Sequence, residues 1–289
     1  KTFTIEGRQD FGRFIFFNGL TTPGYSWFDF AAKLYDRAGV YTEVHPLKGQ
    51  NGNWYDFRST TFKMWVKDIL DVAAASPEAP VMFAFSTSVP ALLEAWRKNP
   101  GFCRAIVAIG APLFLNNVEN EKLMERVRKI AFPFVHINGI NILKYASTKF
   151  LRRDNRFTHR CPQFVRLPIS TAVELRKAQI AGLRALSDHV MPPIFYGQGS
   201  NDAAVSRMTW KLFKSRLVRS PFKVVAPLYQ NADHSVQTGN SLKFALRDIC
   251  NFLEAMYLRE GHNPAQLPEC QKSTSQMRLA KELGQVFFA

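Results

Sequence analysis

The sequence lacks the features that membrane-spanning and secreted proteins usually carry. No uninterrupted apolar run reaches the length of about 18 residues that a membrane-spanning helix needs. The first residues include Glu6, Arg8 and Asp10, where a secretory signal peptide would have an apolar run. We therefore expect a soluble protein with no membrane span or signal peptide in the chain shown. Because the chain begins at Lys1, processing upstream stays open and the compartment is undecided.

Metal-binding and nucleic-acid-binding motifs are also missing. The four cysteines are too widely spaced for a zinc site or a thiol redox motif, so free thiols are expected at Cys103, Cys161, Cys250 and Cys270. The net charge of +15 favours approach to anionic surfaces. The basic residues are scattered, however, and no nucleic-acid motif accompanies them. We expect no specific nucleic-acid partner, while peripheral contact with an anionic membrane stays open.

The composition is that of a globular protein, with 46% apolar and 21% charged residues. A chain of 289 residues suits one large α/β domain with a modest insertion. Short apolar strands alternate with amphipathic helices in the first part of the chain: strands at 13–17, 40–44, 80–85 and 104–109, helices at 27–37, 61–75 and 90–98. This alternation predicts a mostly parallel sheet with helices on both faces.

The alternation stops over residues 116–189, which offer helical patches at 122–130 and 172–185 without a convincing strand. It then resumes with a strand at 193–196, a helix at 206–216, a strand at 223–228 and a last helix at 242–258. We therefore predict a core in two parts, 1–115 and 190–260, interrupted by a helical cap at 116–189. Residues 261–289 are predicted to form a polar C-terminal tail.

A serine stands where the third strand turns into a helix, in the segment Ala84-Phe85-Ser86-Thr87-Ser88. This position corresponds to the nucleophile elbow G-x-S-x-G, with small residues in place of both glycines. The sharp turn lifts the serine clear of the sheet edge. Ser86 is therefore the predicted nucleophile. Ser88 is the competing candidate, disfavoured because it should lie inside the helix.

Two further loops follow predicted strands and supply an acid and a histidine. Residues 197–202 form a glycine-rich loop that ends at Asp202, and residues 231–235 contain His234. Because the carboxyl ends of parallel strands meet at one sheet edge, both side chains should converge on Ser86. The order of nucleophile, acid and histidine is that of the α/β-hydrolase fold. Asp233 is the competing acid, but it is adjacent to the histidine and awkwardly placed to orient it.

The transition state of acyl transfer also needs fixed donors for the oxyanion. The backbone amide of Thr87, directly after the nucleophile, is the first candidate. The second is the amide of Leu20, in the loop after the first strand.

With these residues placed, the chain resembles the monoacylglycerol lipase and lysophospholipase branch of the α/β hydrolases over residues 10–260. Residues 18–20 (Asn-Gly-Leu) resemble its His-Gly-containing oxyanion segment, residues 47–52 its Arg-Gly-His-Gly loop, and residues 116–189 its helical cap, with the helix near 168–185 before the acid-bearing strand. The resemblance implies hydrolysis of a small-molecule ester, often a single-chain lipid, through an acyl-enzyme. It also implies that no metal or organic cofactor takes part. Asn18, Gln50, Ala84 and Ser88 depart from the residues that are usual in this branch.

Two alternatives stay open. An acyl thioesterase or acyltransferase would use the same three side chains. A catalytically silent α/β-hydrolase fold could act as a binding protein, and the altered elbow is the best argument for it. The cap carries apolar residues that could line an acyl-chain pocket or could only pack the cap onto the core: Phe132, Phe134, Ile137, Ile140, Ile142 and Leu143.

Overall fold

A computed structural model describes residues 2–7, 11–20, 27–49, 59–115, 169–188, 191–216 and 225–262 of the chain. Its strands are β1 (Phe3–Ile5), β2 (Phe14–Phe17), β3 (Thr42–His45), β4 (Val81–Phe85), β5 (Ala105–Ile109), β6 (Ile194–Gly199) and β7 (Leu228–Tyr229). Its helices are α1 (Phe28–Ala38), α2 (Phe62–Ala74), α3 (Ser88–Lys98), α4 (Ile169–Asp188), α5 (Arg207–Arg216) and α6 (Leu242–Arg259), and a 3₁₀ turn at Gly239–Ser241 precedes α6.

The seven strands form one sheet in the order β1-β3-β2-β4-β5-β6-β7. Every neighbouring pair is parallel except β1 with β3, which is antiparallel. The central strands β2, β4 and β5 are buried along their whole length, as expected for parallel strands covered on both faces. The predicted mostly parallel sheet is confirmed.

Helices cover both faces because the side chains of each strand alternate between them. Phe14 and Phe16 of β2 belong to the core under α1 and α6. Ile15 and Phe17 belong to the opposite core, under α2, α3, α4 and α5. The sequence at the helix ends agrees with these boundaries. Gly39 ends α1 in the left-handed conformation, with φ of 61°, and donates its amide to the Tyr35 carbonyl.

The described part of the predicted cap segment is α4, a helix directly before β6. It packs against α3: a Cβ added at Gly182 would lie 3.1 Å from Pro90 Cβ. Gln179 Nε2 donates to the Pro112 carbonyl at 2.9 Å, and Glu174 Oε2 accepts the Phe62 amide at 2.7 Å. This helix is thus part of the layer that covers the sheet. Residues 116–168, with the helix predicted at 122–130, lie outside the described residues, so the extent of the cap stays a prediction.

Two strands differ from the sequence expectation, and a third strand, β1, is not predicted by the sequence. Residues 197–199, expected to be loop, are the end of β6. The strand predicted at 223–228 pairs instead at Leu228–Tyr229, with a separate bridge between Val225 and Phe195. Pro227 stands between these two pairings and has no amide to donate, which interrupts the ladder. Strand β1, a short antiparallel edge strand, was not predicted at all.

Among the described helices, none combines the length and the apolarity that crossing a bilayer requires.

Candidate active site

Ser86 lies in a strained turn between β4 and α3. Its φ is 55°, in the left-handed region that a residue with a side chain rarely adopts, at a cost of about 1–3 kcal/mol. Hydrogen bonds on both sides stabilise this conformation: the Ser86 amide donates to the Ile109 carbonyl at 2.8 Å, and the Val89 amide donates to the Ser86 carbonyl at 3.0 Å. The side chain is half-buried. A strained serine fixed between a buried strand and a helix is the geometry of a nucleophile elbow.

The loop after β2 approaches this turn closely. A Cβ added at Gly19 would lie 2.8 Å from Ser86 Cβ and 3.2 Å from the Phe85 carbonyl oxygen. Only glycine fits there without displacing the turn. Leu20 follows directly and is half-buried. Leu20 and Thr87, the predicted oxyanion donors, therefore lie on the two segments that meet at Ser86, and their role as donors stays a prediction.

Ser88, the competing nucleophile, is fully buried. Its hydroxyl accepts the Phe85 amide at 2.9 Å and lies 3.1 Å from the Phe17 carbonyl oxygen. These bonds tie the start of α3 to the ends of β4 and β2. The Ser88 hydroxyl is thus engaged in the structure of the elbow, and the choice of Ser86 as nucleophile stays a prediction.

Asp202 and His234 form a hydrogen-bonded pair. Asp202 Oδ2 lies 2.8 Å from His234 Nδ1. The other carboxyl oxygen, Oδ1, accepts the amides of Ala204 at 2.8 Å and Val205 at 2.9 Å. The Asp202 side chain is almost completely buried, so these donors replace water around its charge. The carboxylate is fixed on one side by the backbone and presents its other oxygen to the imidazole.

The side chain of Asp233, the competing acid, stabilises the turn in which it lies. Its Oδ1 accepts the Ser235 amide at 3.0 Å, a local bond of the kind that aspartate makes in loops. The structure thus pairs His234 with Asp202 and not with Asp233, and the catalytic role of this pair stays a prediction.

The imidazole of His234 lies against the two strands next to the elbow. Its ring centroid is 4.9 Å from that of Phe85. A Cβ added at Gly110, the residue after β5, would lie 2.9 Å from His234 Cε1. The Ser86 amide donates a hydrogen bond to the carbonyl of Ile109, the residue just before Gly110, and Ser86 directly follows Phe85. The ring therefore lies beside the elbow, with Nδ1 engaged by Asp202.

The loops that carry Asp202 and His234 are bonded to each other. The Ser200 amide donates to the Tyr229 carbonyl at 2.8 Å and the Asn201 amide to the Ala232 carbonyl at 2.9 Å. Gly199 permits this closeness, because a Cβ there would lie 2.0 Å from the Asp233 carbonyl oxygen. Gly197 and Gly199, expected in a loop, thus lie in strand β6, and the absence of a side chain at Gly199 lets the loop that carries His234 approach closely.

A buried polar network lies beneath the acid loop. The Tyr196 hydroxyl donates to Gln198 Oε1 at 2.8 Å, and Gln198 Nε2 donates to the Val205 carbonyl at 3.0 Å. Burial and the nearby charge of Asp202 raise the pKa of Tyr196 well above its usual value, so the phenol remains a donor. Sequence analysis missed Tyr196, Gln198 and Gly110.

The described residues contain no group of three or more His, Cys, Asp or Glu side chains placed to hold a metal ion. The site offers a serine with a strained backbone beside an imidazole that is hydrogen-bonded to a carboxylate, an arrangement that can generate a nucleophile by proton transfer.

Neither a known protein-family model nor a curated protein matches the sequence. Solved structures do match. A monoacylglycerol lipase from Paleococcus ferrophilus is 13% identical with a TM-score of 0.67, over 88% of this chain and 97% of that one. A soluble variant of monoglyceride lipase from Saccharomyces cerevisiae is 15% identical with a TM-score of 0.64, over 88% of this chain and 91% of that one. A structure from work on two metagenome-derived lipolytic enzymes, LipS and LipT, is 15% identical with a TM-score of 0.64, over 88% of this chain and 96% of that one.

At these identities the likeness establishes the fold. The predicted α/β-hydrolase fold is confirmed, and so is the predicted structural resemblance to monoacylglycerol lipases.

Proposed function

Because the chain has the α/β-hydrolase fold, we propose that it is a serine hydrolase that cleaves carboxylic esters through an acyl-enzyme on Ser86. The observation that carries the proposal is the Asp202–His234 pair, 2.8 Å long, beside a serine with φ of 55°. A binding protein gains nothing from a serine with a strained backbone next to a buried hydrogen bond between a carboxylate and an imidazole, whereas a nucleophile needs both.

In the first half of the reaction Ser86 Oγ attacks the ester carbonyl while His234 Nε2 takes the hydroxyl proton. Asp202 keeps the proton of the imidazole on Nδ1 and stabilises the imidazolium that forms. The Leu20 and Thr87 amides donate to the carbonyl oxygen as it becomes negative. The carbon–oxygen bond to the alcohol then breaks, and the alcohol leaves with the proton from His234.

In the second half a water molecule attacks the acyl-enzyme. His234 takes a proton from this water and returns it to Ser86 Oγ, and the carboxylic acid is released. No redox step is involved, and every proton that His234 accepts is passed on. The chemistry requires no metal or organic cofactor.

The proposed substrate is a single-chain acyl lipid such as a monoacylglycerol or a lysophospholipid. Support comes from two of the similar structures, a monoacylglycerol lipase and a monoglyceride lipase, and from the apolar residues of the predicted cap. These apolar cap residues lie outside the part of the chain that the structure describes.

The test is labelling with a fluorophosphonate probe, together with hydrolysis of nitrophenyl esters of increasing acyl length. Wild type should be labelled and should turn over esters, and Ser86→Ala should do neither while keeping its thermal unfolding midpoint. A folded wild type that is neither labelled nor active would support a binding protein instead. Faster release of thiol from acyl-thioesters, or acyl transfer to added alcohols, would assign the thioesterase or acyltransferase alternative.

Peripheral contact with an anionic membrane is a further part of the proposal. The outward face of α5 exposes Arg207, Lys211 and Lys214, together with Met208, which is 59% exposed, and this helix contains no acidic residue. Cosedimentation with vesicles should require anionic lipid and should weaken with salt, because exposed charges are screened. The Lys211→Glu/Lys214→Glu variant should bind less while hydrolysing soluble esters normally.

A further inference from the structure

The hydroxyl of Thr87, the residue after Ser86, has no assigned use. Thr87 is only 4% exposed, and its Oγ1 makes no hydrogen bond within the described part of the chain. Buried hydroxyls are nearly always hydrogen-bonded, because an unpaired one loses its bonds to water without replacement. An exception directly beside the nucleophile calls for a physical explanation.

Thr87 occupies the N-cap of α3, where a threonine side chain usually accepts an amide of the first turn. Thr61 does this at the start of α2: its backbone is extended, with φ −112° and ψ 157°, and its side chain accepts the Met64 amide. Thr87 has helical angles, φ −64° and ψ −19°, and makes no such bond. The elbow geometry therefore prevents the Thr87 hydroxyl from capping the helix.

The neighbouring Ser88 gives the contrast. It is equally buried, yet its hydroxyl bonds to backbone groups at the ends of β4 and β2. Of the two hydroxyl residues that follow the nucleophile, Ser88 stabilises the elbow and Thr87 does not. Within the described residues, the Thr87 hydroxyl is left as a donor without an acceptor.

We propose that Thr87 Oγ1 donates a hydrogen bond to the substrate oxygen that becomes the oxyanion, as a third donor beside the Leu20 and Thr87 amides. The inference rests on the proposed hydrolase function. The hydroxyl and the amide of Thr87 belong to one residue, so an oxygen bound by that amide is within reach of the hydroxyl. The bond strengthens as the oxygen gains charge, because hydrogen bonds to ionised acceptors are the stronger ones. Thr87 is thereby a catalytic residue by its side chain as well as its backbone.

Two substitutions separate this role from a structural one. Thr87→Val replaces the hydroxyl by a methyl group of similar size, and Thr87→Ser keeps the hydroxyl. Thr87→Val should lower kcat for a nitrophenyl ester by about tenfold, a modest part of what loss of an oxyanion-hole donor costs, with KM unchanged. Its unfolding midpoint should stay the same or rise, since an unpaired polar group leaves the interior. Thr87→Ser should restore kcat.

A second readout is inhibition by an alkyl boronic acid, which forms a tetrahedral adduct with a serine. Its inhibition constant should weaken in Thr87→Val by a factor similar to the loss in kcat. Thr87→Ala provides a second variant that lacks the hydroxyl, in case valine disturbs the turn.

An unchanged kcat in Thr87→Val would overturn the inference. So would loss of folding in both Thr87→Val and Thr87→Ala with a stable Thr87→Ser, because the hydroxyl would then support the fold. Both outcomes leave probe labelling of wild-type Ser86 intact. Absence of that labelling in wild type would instead refute the hydrolase proposal, and this inference with it.

Discussion

Gly199 provides a direct test of how closely the loops of the site must approach. It is the last residue of β6, and a Cβ there would lie 2.0 Å from the Asp233 carbonyl oxygen and 2.4 Å from that of Ala232. Real Cβ atoms essentially never come within 3.0 Å of such an atom. Its φ is outside the left-handed region, so alanine would meet only a steric obstacle. Gly199→Ala should displace the 231–234 loop by about 1 Å.

This displacement acts on the imidazole, because the same loop carries His234. A movement of about 1 Å is enough to break the 2.8 Å bond between His234 Nδ1 and Asp202 Oδ2. Misplacement of a catalytic group by this distance costs about 10²-fold in rate. We expect Gly199→Ala to lower kcat for nitrophenyl esters by about 10²-fold, and to lower the unfolding midpoint measured by circular dichroism.

Gly239→Ala is the matched control. Gly239 has φ of 60° and nothing within 4 Å of an added Cβ, so alanine costs about 1–2 kcal/mol of backbone strain without displacing a neighbour. This variant should lose stability and keep its kcat. Wild-type kcat in Gly199→Ala, or equal losses of kcat in both variants, would refute the steric argument.

Three further predictions concern single side chains. Asp202→Asn should lower kcat by about 10³- to 10⁴-fold at neutral pH, because an amide cannot stabilise the imidazolium of His234; steady-state kinetics measure this, and a loss below tenfold would contradict it. Ser88→Ala should lower the free energy of unfolding by about 1–3 kcal/mol, seen as a lower unfolding temperature, and should keep its fluorophosphonate labelling. Loss of labelling without loss of stability would favour Ser88 as the nucleophile. The hydrogen bond from His45, 2.6 Å long, lowers the pKa of Glu43 below its ordinary value of 4.5. Ionised Glu43 therefore stabilises the fold above about pH 4.5, and this contribution disappears as the pH falls through the folded-state pKa. In Glu43→Gln the free energy of unfolding, measured with urea, should depend less on pH on the acid side. An unchanged pH dependence would count against the Glu43–His45 pair.

The boundaries of the central strands could be predicted closely because strands that are buried on both faces consist of apolar residues. Strands β4 and β5 are continuous apolar runs, and the observed boundaries differ from the predicted ones by a single residue. Parallel strands buried on both faces give this signal directly. The exposed edge strand β1 has no such run, since two of its three residues are exposed, and it was missed.

The end of β6 shows where local reasoning fails. Two glycines in three residues indicate a loop by local propensity. Here Gly197 and Gly199 lie in the strand, since a Cβ at Gly197 would meet the Tyr229 ring at 3.2 Å and one at Gly199 would meet the 231–234 loop. The reason for the glycines is a contact with residues some thirty positions away, as in the Asp202–His234 bond. No window of neighbouring residues contains that information.

The convergence of Asp202 and His234 could be predicted because topology decides it: both follow parallel strands and lie at their carboxyl ends. The supporting network could not. Gln198 acts through the carbonyl of Val205, and its role depends on the path of the acid loop after Asp202. Sequence order places the reacting groups at one edge, whereas the orientation of each group depends on contacts between loops.

The altered elbow is where the sequence argued most strongly for a binding protein, and the structure gives a steric reason against that argument. Glycines in the elbow motif allow a strand and a helix to approach closely. In this chain Ala84 is fully buried, and the Ser88 hydroxyl is itself part of the turn. Close approaches occur outside the motif: a Cβ added at Gly19 would lie 2.8 Å from Ser86 Cβ, and one added at Gly110 would lie 2.9 Å from His234 Cε1. The steric requirement of the site is met by these two glycines, so the absence of glycine at positions 84 and 88 does not argue against catalysis.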